Sequence, residues 1–408
     1  MLALSDCPIQ ASILLSSAPA RNPAACSYKL PHSNANRSDR VTESSAEEGQ
    51  NKNTSRGCAG FRQRRPLLPC AAALVFLCAA GAARPEADEG RRAYSGSDGG
   101  GPATVLAQAL PARDLSALSL EQLGSIVVTS VSRRRELLAD VATSIFVISA
   151  QEIHRAGATT IGEALRLAPN LDVARADTAQ YAISARGFNN VLANKMLVLI
   201  DGRTVYSPLF SGVFWESQDV MLEDVERIEV ISGPGATIWG SNAVNGVINI
   251  ITRPARDTQG GLVSLGAGNR ERNAAARYGA RLGEHVHYRV YAKKFELDPS
   301  ERADGLSIRD RYKHTQAGLR AEWRDSDDVV TLLADVYEGD VGGIAGGRDF
   351  SGSSLLGRWN RQFADGGALR VRAYYDRTDR DHAATFSERL DTYDLEAQHT
   401  LRQLGAHR

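Results

Sequence analysis

The chain has 408 residues, with 48 Lys+Arg against 48 Asp+Glu, so its formal net charge is zero. No global field therefore argues for nucleic acid or an acidic substrate. A mean hydropathy of −0.28 excludes a polytopic helical membrane protein but permits a transmembrane β-barrel, whose alternating strands average out.

All five cysteines, Cys7, Cys26, Cys58, Cys70 and Cys78, precede residue 79. The body of the chain thus carries no disulfide framework and no cysteine zinc site, which suits an oxidising compartment. Residues 1–60 mix Ser, Asn, Arg and Pro without an apolar period, and read as disordered or as the product of a misassigned start codon. Residues 61–83 order Arg62, Arg64 and Arg65, then the uncharged run Leu67–Ala80, then small residues. Basic, apolar and small in that order predicts a secretory signal peptide, and the run is short of the roughly 20 residues a membrane helix needs. Cys78 does not make it a lipoprotein signal, because Leu77 stands where a small residue is expected. Residues 84–125 read as a linker with one short helix at Leu115–Leu123.

A small α+β domain is predicted over 126–253. Ile126, Val127, Val128 and Thr129 make a β-prone start, followed by the strand Ser144–Ser149. Ser149 with Glu152, and Thr160 with Glu163, cap two short helices that Gly157 and Pro169 end. Leu171–Ala174 and Ala182–Ala185 are short strands. Met196–Ile200 and Arg203–Tyr206 flank Asp201-Gly202, a pair suited to a type I′ hairpin turn. Phe210, Phe214 and Trp215 mark an aromatic loop that either faces a ligand or wedges against a wall, the wedge being preferred. Val225–Ile231 alternates as a half-buried strand, with Glu223, Asp224, Glu226 and Glu229 expected on a solvated face. Val247–Ile251 reads as a strand covered on both sides.

Between those strands lie Gly233, Pro234, Gly235, Trp239, Gly240 and Gly246. A dinucleotide loop would need a third glycine where Ile238 stands, and a long helix after it. Leu222–Arg253 instead resembles the end of the plug domain of TonB-dependent outer-membrane receptors. Ile228–Val230, Gly233–Pro234, Trp239–Gly240 and Gly246–Thr252 fit that pattern, and Arg186-Gly187-Phe188 and Asp201-Gly202-Arg203 match earlier plug motifs. Ser232 departs from it, since the family usually places there an arginine that joins plug–barrel ionic contacts.

Beyond Arg253 the texture changes to apolar/polar alternation. Val286, Tyr288, Val290 and Ala292 alternate with His287, Arg289, Tyr291 and Lys293, and the scheme recurs to residue 401. Eight strands are expected in 260–408, apolar face outward, with short connections at 325–328 and 364–367 and long ones at 297–310, 339–352 and 377–388. A soluble sandwich would need an apolar inner face. His285 and His287 share one face but have no nearby third ligand, so no metal and no cofactor are expected. No nucleophile–base–acid order stands out, and no catalysis is expected.

The expectation is thus an α+β plug domain followed by antiparallel transmembrane β-barrel strands, an incomplete barrel of about eight where plugged transporters need about 22. The resemblance implies a TonB-dependent receptor fragment of the bacterial outer membrane, a monomer surrounded by lipid. It implies energy-coupled uptake of a bulky scarce solute such as a ferric siderophore or cobalamin, with no nucleic acid. Its implied partner is a TonB-type periplasmic coupling protein acting at Ile126–Thr129, a segment that reads equally well as the first plug strand. The alternative is a non-transporting binding or signalling module.

Overall fold

A computed structural model describes residues 10–11, 127–128 and 136–401, apart from 142, 194, 236–238, 241, 345 and 384. The expected signal peptide, the linker helix, Ile126 and Thr129 lie outside the described residues. So does the expected disorder of 1–60, except at β1 (Gln10–Ala11).

Capping starts the two helices of the α+β domain. The Glu152 amide donates to Ser149 Oγ at 3.2 Å, and the Ser149 amide donates back to the Glu152 carboxylate at 2.8 Å. This reciprocal pair opens α1 (Ala150–Arg155). Thr160 opens α2 (Ile161–Leu165) with the Glu163 amide at 3.3 Å. Around them run β2 (Val127–Val128), β3 (Glu136–Leu137), β4 (Ser144–Ser149), β5 (Asp172–Arg175) and β6 (Tyr181–Ser184). They are followed by β7 (Met196–Ile200), β8 (Arg203–Thr204), β9 (Val225–Ser232) and β10 (Gly246–Thr252).

A five-stranded sheet in the order β4-β9-β10-β7-β8 organises the domain. β10 is central, paired parallel to β7 and antiparallel to β9 along its edges, and its apolar run is covered on both faces by separate core clusters. One face packs Ile228, Val230, Ile248 and Ile250 against Ile153, Ile161 and Leu165 of the helices. Each fully buried aliphatic side chain contributes about 1.5–3 kcal/mol. The other face gathers Leu197, Leu199, Ile231 and Val247. Gly246 is required at the strand entry, because a Cβ there would lie 2.3 Å from the Ile231 carbonyl oxygen.

All eight later strands are present: β11 (Gly260–Ala267), β12 (Glu271–Leu282), β13 (Val286–Leu297), β14 (Tyr312–Asp325), β15 (Asp328–Val341), β16 (Arg348–Gln362), β17 (Ala368–His382) and β18 (Phe386–Thr400). Each pairs antiparallel with the next, and β1 lies on β18. Among the described residues the sheet does not close on itself. Its outer face is apolar: Val263 is 72% exposed and Leu265 78%. Its inner face is polar and covered by the α+β domain, with Arg289 only 4% exposed and His314 fully buried. Such an inversion is stable only with hydrocarbon outside and a filled lumen inside.

Two of the expected long loops are strand. β15 and β16 run on to Val341 and from Arg348, and β17 and β18 run to His382 and from Phe386. Outward positions there become charged (Glu338, Asp340, Arg377, Asp379, Arg389), so the hydropathy signal fades while the ladder continues. The outward rows below them are apolar, such as Val290, Leu319, Ala334, Leu355, Tyr375 and Tyr393 in register.

The interface between the domain and the wall

Local backbone chemistry places the first anchor. Asp201 and Gly202 have φ of 49° and 89°, the two left-handed positions of a type I′ turn. The Asp201 carboxylate accepts from the Thr252 amide at 3.0 Å and the Thr252 hydroxyl at 2.7 Å, tying this turn to the end of β10. The wall then grips both. Arg358 donates to the Asp201 carbonyl, and Arg372 donates to the Gly202 carbonyl at 2.6 Å. Arg320 reaches the Thr252 hydroxyl at 2.8 Å and stands 3.6 Å from the Asp201 carboxylate. Arg289 reaches the same hydroxyl at 3.0 Å and the Arg253 carbonyl at 2.5 Å. Arg203 forms an ion pair with Asp376.

Two more carboxylates complete the contact. Asp224, 1% exposed, pairs with Arg277 and with Arg289 at 3.3 Å. Asp219 takes Lys293 at 2.6 Å, and Lys293 also donates to the Val220 carbonyl at 2.8 Å. Asp224 thus overturns its expected solvated setting, and so does Glu229, which is fully buried against Arg227 at 2.8 Å. Charges near a strand entry look solvated in sequence, but here the wall sheet supplies the counter-charges of Asp224, and Arg227 of the same strand supplies that of Glu229.

At the opposite end of the wall, Asp177 pairs with Arg348 at 2.7 Å, and Thr178 is bound through its amide to Asp310 at 3.2 Å. Tyr312 donates to the Glu216 carbonyl at 2.8 Å, and Arg380 donates to Ser217 at 2.8 Å. Burial pushes the Glu216 carboxyl above its ordinary range, and its Oε1 has no hydrogen-bond partner. Burial likewise pushes the Tyr181 hydroxyl up to about 12, where it donates to Glu163 at 3.0 Å. The aromatic loop lies on the wall here: Phe214 stacks edge-on to Phe210 at 4.9 Å and lies beneath the Arg380 guanidinium at 4.1 Å. Trp215 turns the other way, onto the main core.

The remaining motif residues stay inside the domain. Arg186, Gly187 and Phe188 all have left-handed φ, 61°, 90° and 58°, a strained turn that leaves Phe188 85% exposed. Arg186 donates to the Ser232 carbonyl at 3.4 Å beside Gly233. Ser232 itself accepts from Asn170 at 2.6 Å. Pro234 is exposed, Gly240 has φ 78°, and Trp239 packs on the Leu197–Val247 cluster. Val127 and Val128 pair with Leu137 and Glu136, and Val128 is fully buried.

The assembled geometry is a small α+β domain held against a polar barrel wall. Residues 138–247 match the family described as TonB-dependent Receptor Plug Domain. Residues 138–247 thus form a plug domain of the TonB-dependent receptor type. Over 150 residues it is 37% identical to the vitamin B12 transporter BtuB of Vibrio vulnificus strain CMCP6, covering 36% of this chain and 24% of that protein. Over 253 residues it is 30% identical to BtuB of strain YJ016, covering 59% of this chain and 40% of the relative. The chain thus spans well under half the length of these relatives. In fold it is similar to the alcaligin outer-membrane receptor FauA of Bordetella pertussis, with a TM-score of 0.54 at 17% identity over 66% of this chain and 46% of that one.

Sequence reasoning singled out Asp201, Gly202 and Arg203 of the plug's wall contacts. It did not connect Asp201, Gly202, Asp219, Asp224 and Thr252 to Arg277, Arg289, Lys293, Arg320, Arg358 and Arg372. Those partners are separated by up to 170 residues, as in Gly202–Arg372. The one available signal was the run of cations at alternate, inward positions of the wall strands.

Proposed function

We propose that this receptor takes up a bulky, scarce solute of the ferric-siderophore or cobalamin class across the bacterial outer membrane. The observation that carries this reading is the plug–wall interface. It is built largely from hydrogen bonds and ion pairs, with apolar contact among the described residues confined to Ala179 beside Phe295 and Tyr312 and to Phe214 on Phe386. When the plug leaves, both halves of each buried pair re-enter water, so the net cost is far below the gross bond energies and no large apolar core is exposed. Fixed apolar packing would make a permanent stopper.

In this proposal the signal peptide in 61–83 directs export, and the mature protein lies as a monomer among outer-membrane lipids. The energy comes from a TonB-type periplasmic protein that pairs with Ile126–Thr129 by strand addition. Half-buried Phe210 faces the solute's side of the plug, while Phe214 wedges the loop against the wall. The pairing of Val127–Val128 with β3 supports the coupling role in one respect: the segment already adopts the extended form that strand addition uses.

The test is uptake of labelled cyanocobalamin by cells that lack their own receptor and express a completed receptor carrying this plug, with and without a protonophore. Energy-dependent uptake is expected. Val128→Pro removes a ladder donor, and should abolish uptake while surface binding of the label persists. Uptake that survives Val128→Pro would make the segment a plug strand only.

A further inference from the structure

The inner wall holds like charges directly opposite one another. Arg289 faces Arg320 across β13–β14, and Arg358 faces Arg372 across β16–β17. Directly opposed like charges destabilise a sheet. The wall does not neutralise them by itself. Arg277, Arg289, Arg320, Arg358 and Arg372 find three carboxylates on the wall: Glu322 at 2.6 Å from Arg320, and Asp394 and Glu396 at 3.1 and 2.6 Å from Arg372. The plug supplies two more, Asp201 and Asp224. Its other contributions are neutral oxygens: the carbonyls of Asp201, Gly202, Thr252 and Arg253, and the Thr252 hydroxyl.

The plug's turn therefore occupies the wall as an anionic ligand would. It offers carboxylate and carbonyl oxygens to a fork of guanidinium donors, the recognition that planar oxyanions use. With the plug withdrawn, the five arginines keep three paired carboxylates, Asp376 released by Arg203 and Lys293 released by Asp219 offset one another, and the strip is left net positive.

We infer that Arg289, Arg320, Arg358 and Arg372 form an anion-binding strip that the Asp201–Gly202 turn masks, and that the solute passing the displaced plug is polyanionic at its surface, presenting carboxylate or phosphate oxygens. This rests on the transport reading above. The strip attracts such a solute only while the plug is displaced, and the returning turn competes it off.

The probe is inorganic pyrophosphate, titrated by calorimetry onto the detergent-solubilised protein. The wild-type chain is expected not to bind, because the turn fills the strip. Asp201→Ala with Asp224→Ala removes both plug charges and unties the turn from Thr252, so that it leaves Arg358 and Arg372, and this variant should bind pyrophosphate, more weakly as salt rises. Adding Arg358→Gln and Arg372→Gln should weaken that binding at least about tenfold, the loss of one or more charge-assisted contacts. Absence of binding by the folded double variant, or binding indifferent to the arginine changes, overturns the strip. If the double variant misfolds, phenylglyoxal modification of Arg358 and Arg372 in the wild-type protein, loosened in mild urea, decides: protection by pyrophosphate supports the strip, and no protection overturns it. The same modification in intact cells separates the two readings. Pyrophosphate binding without any rise in labelling on energising the membrane leaves the strip standing and removes the transport reading.

Discussion

Replacing Asp201 by alanine tests the central anchor. The substitution removes two hydrogen bonds to a charged acceptor, from the Thr252 amide and hydroxyl, each worth about 1.5–3 kcal/mol. It leaves the Thr252 amide unpaired at a position only 7% exposed. It places alanine at φ 49°, which adds about 1 kcal/mol that aspartate, with its local hydrogen bonding, largely avoids. It also leaves Arg320 without the carboxylate at 3.6 Å. Some of this is recovered by water and by the second oxygen partners of Arg320, so the expected net cost is about 3–5 kcal/mol. Asp201→Asn keeps an acceptor oxygen and tolerates the turn, and should cost about 1–2 kcal/mol. Hydrogen exchange at the Thr252 amide, read across a urea series in detergent, reports the site directly. If Asp201→Ala came within about 0.5 kcal/mol of Asp201→Asn, the assignment of turn and carboxylate as one anchor would be wrong.

Lys293→Met leaves Asp219 buried beside a neutral side chain and should cost about 3–5 kcal/mol, seen as a lowered thermal midpoint that Asp219→Asn partly restores. Gly246→Ala forces a methyl group against the Ile231 carbonyl and should loosen the β9–β10 ladder by about 2 kcal/mol or more, read as faster exchange of its amides. Glu216→Gln addresses pH. The folded-state pKa of Glu216 is raised, so its contribution is fully present below the unfolded carboxyl value and is lost as pH rises through the folded one. The glutamine variant should therefore gain stability relative to wild type at pH 8 and lose that advantage near pH 4, in matched urea titrations.

Much of the fold was legible because its periods are local. The caps at Ser149 and Thr160, the Asp201-Gly202 turn and the eight alternating strands each declare themselves within about a dozen residues. The ends of β15 to β18 were not legible, because outward positions turn charged there while the ladder continues. The burial of Asp224 and Glu229 was not legible either. A carboxylate on a strand reads as solvated unless its partner is known, and Arg277 lies 53 residues beyond Asp224. For the same reason the motif turn could be named in sequence, but not the four arginines that hold it.

The order of strands in the plug sheet also sets where tension is felt. Among the described residues β4 is an edge strand, bonded on one side, to β9. β10 is flanked on both sides, and the chain just past it is moored: the Arg253 amide donates to the Asp224 carbonyl at 2.8 Å and its own carbonyl takes Arg289. A force entering from the N-terminal side therefore meets the one long strand that can leave by breaking a single ladder. The β9–β10–β7 layer stays joined and fastened to the wall at its far end. The sheet is built to yield from one margin, so what opens first is decided by sequence order and not by the strength of any one contact.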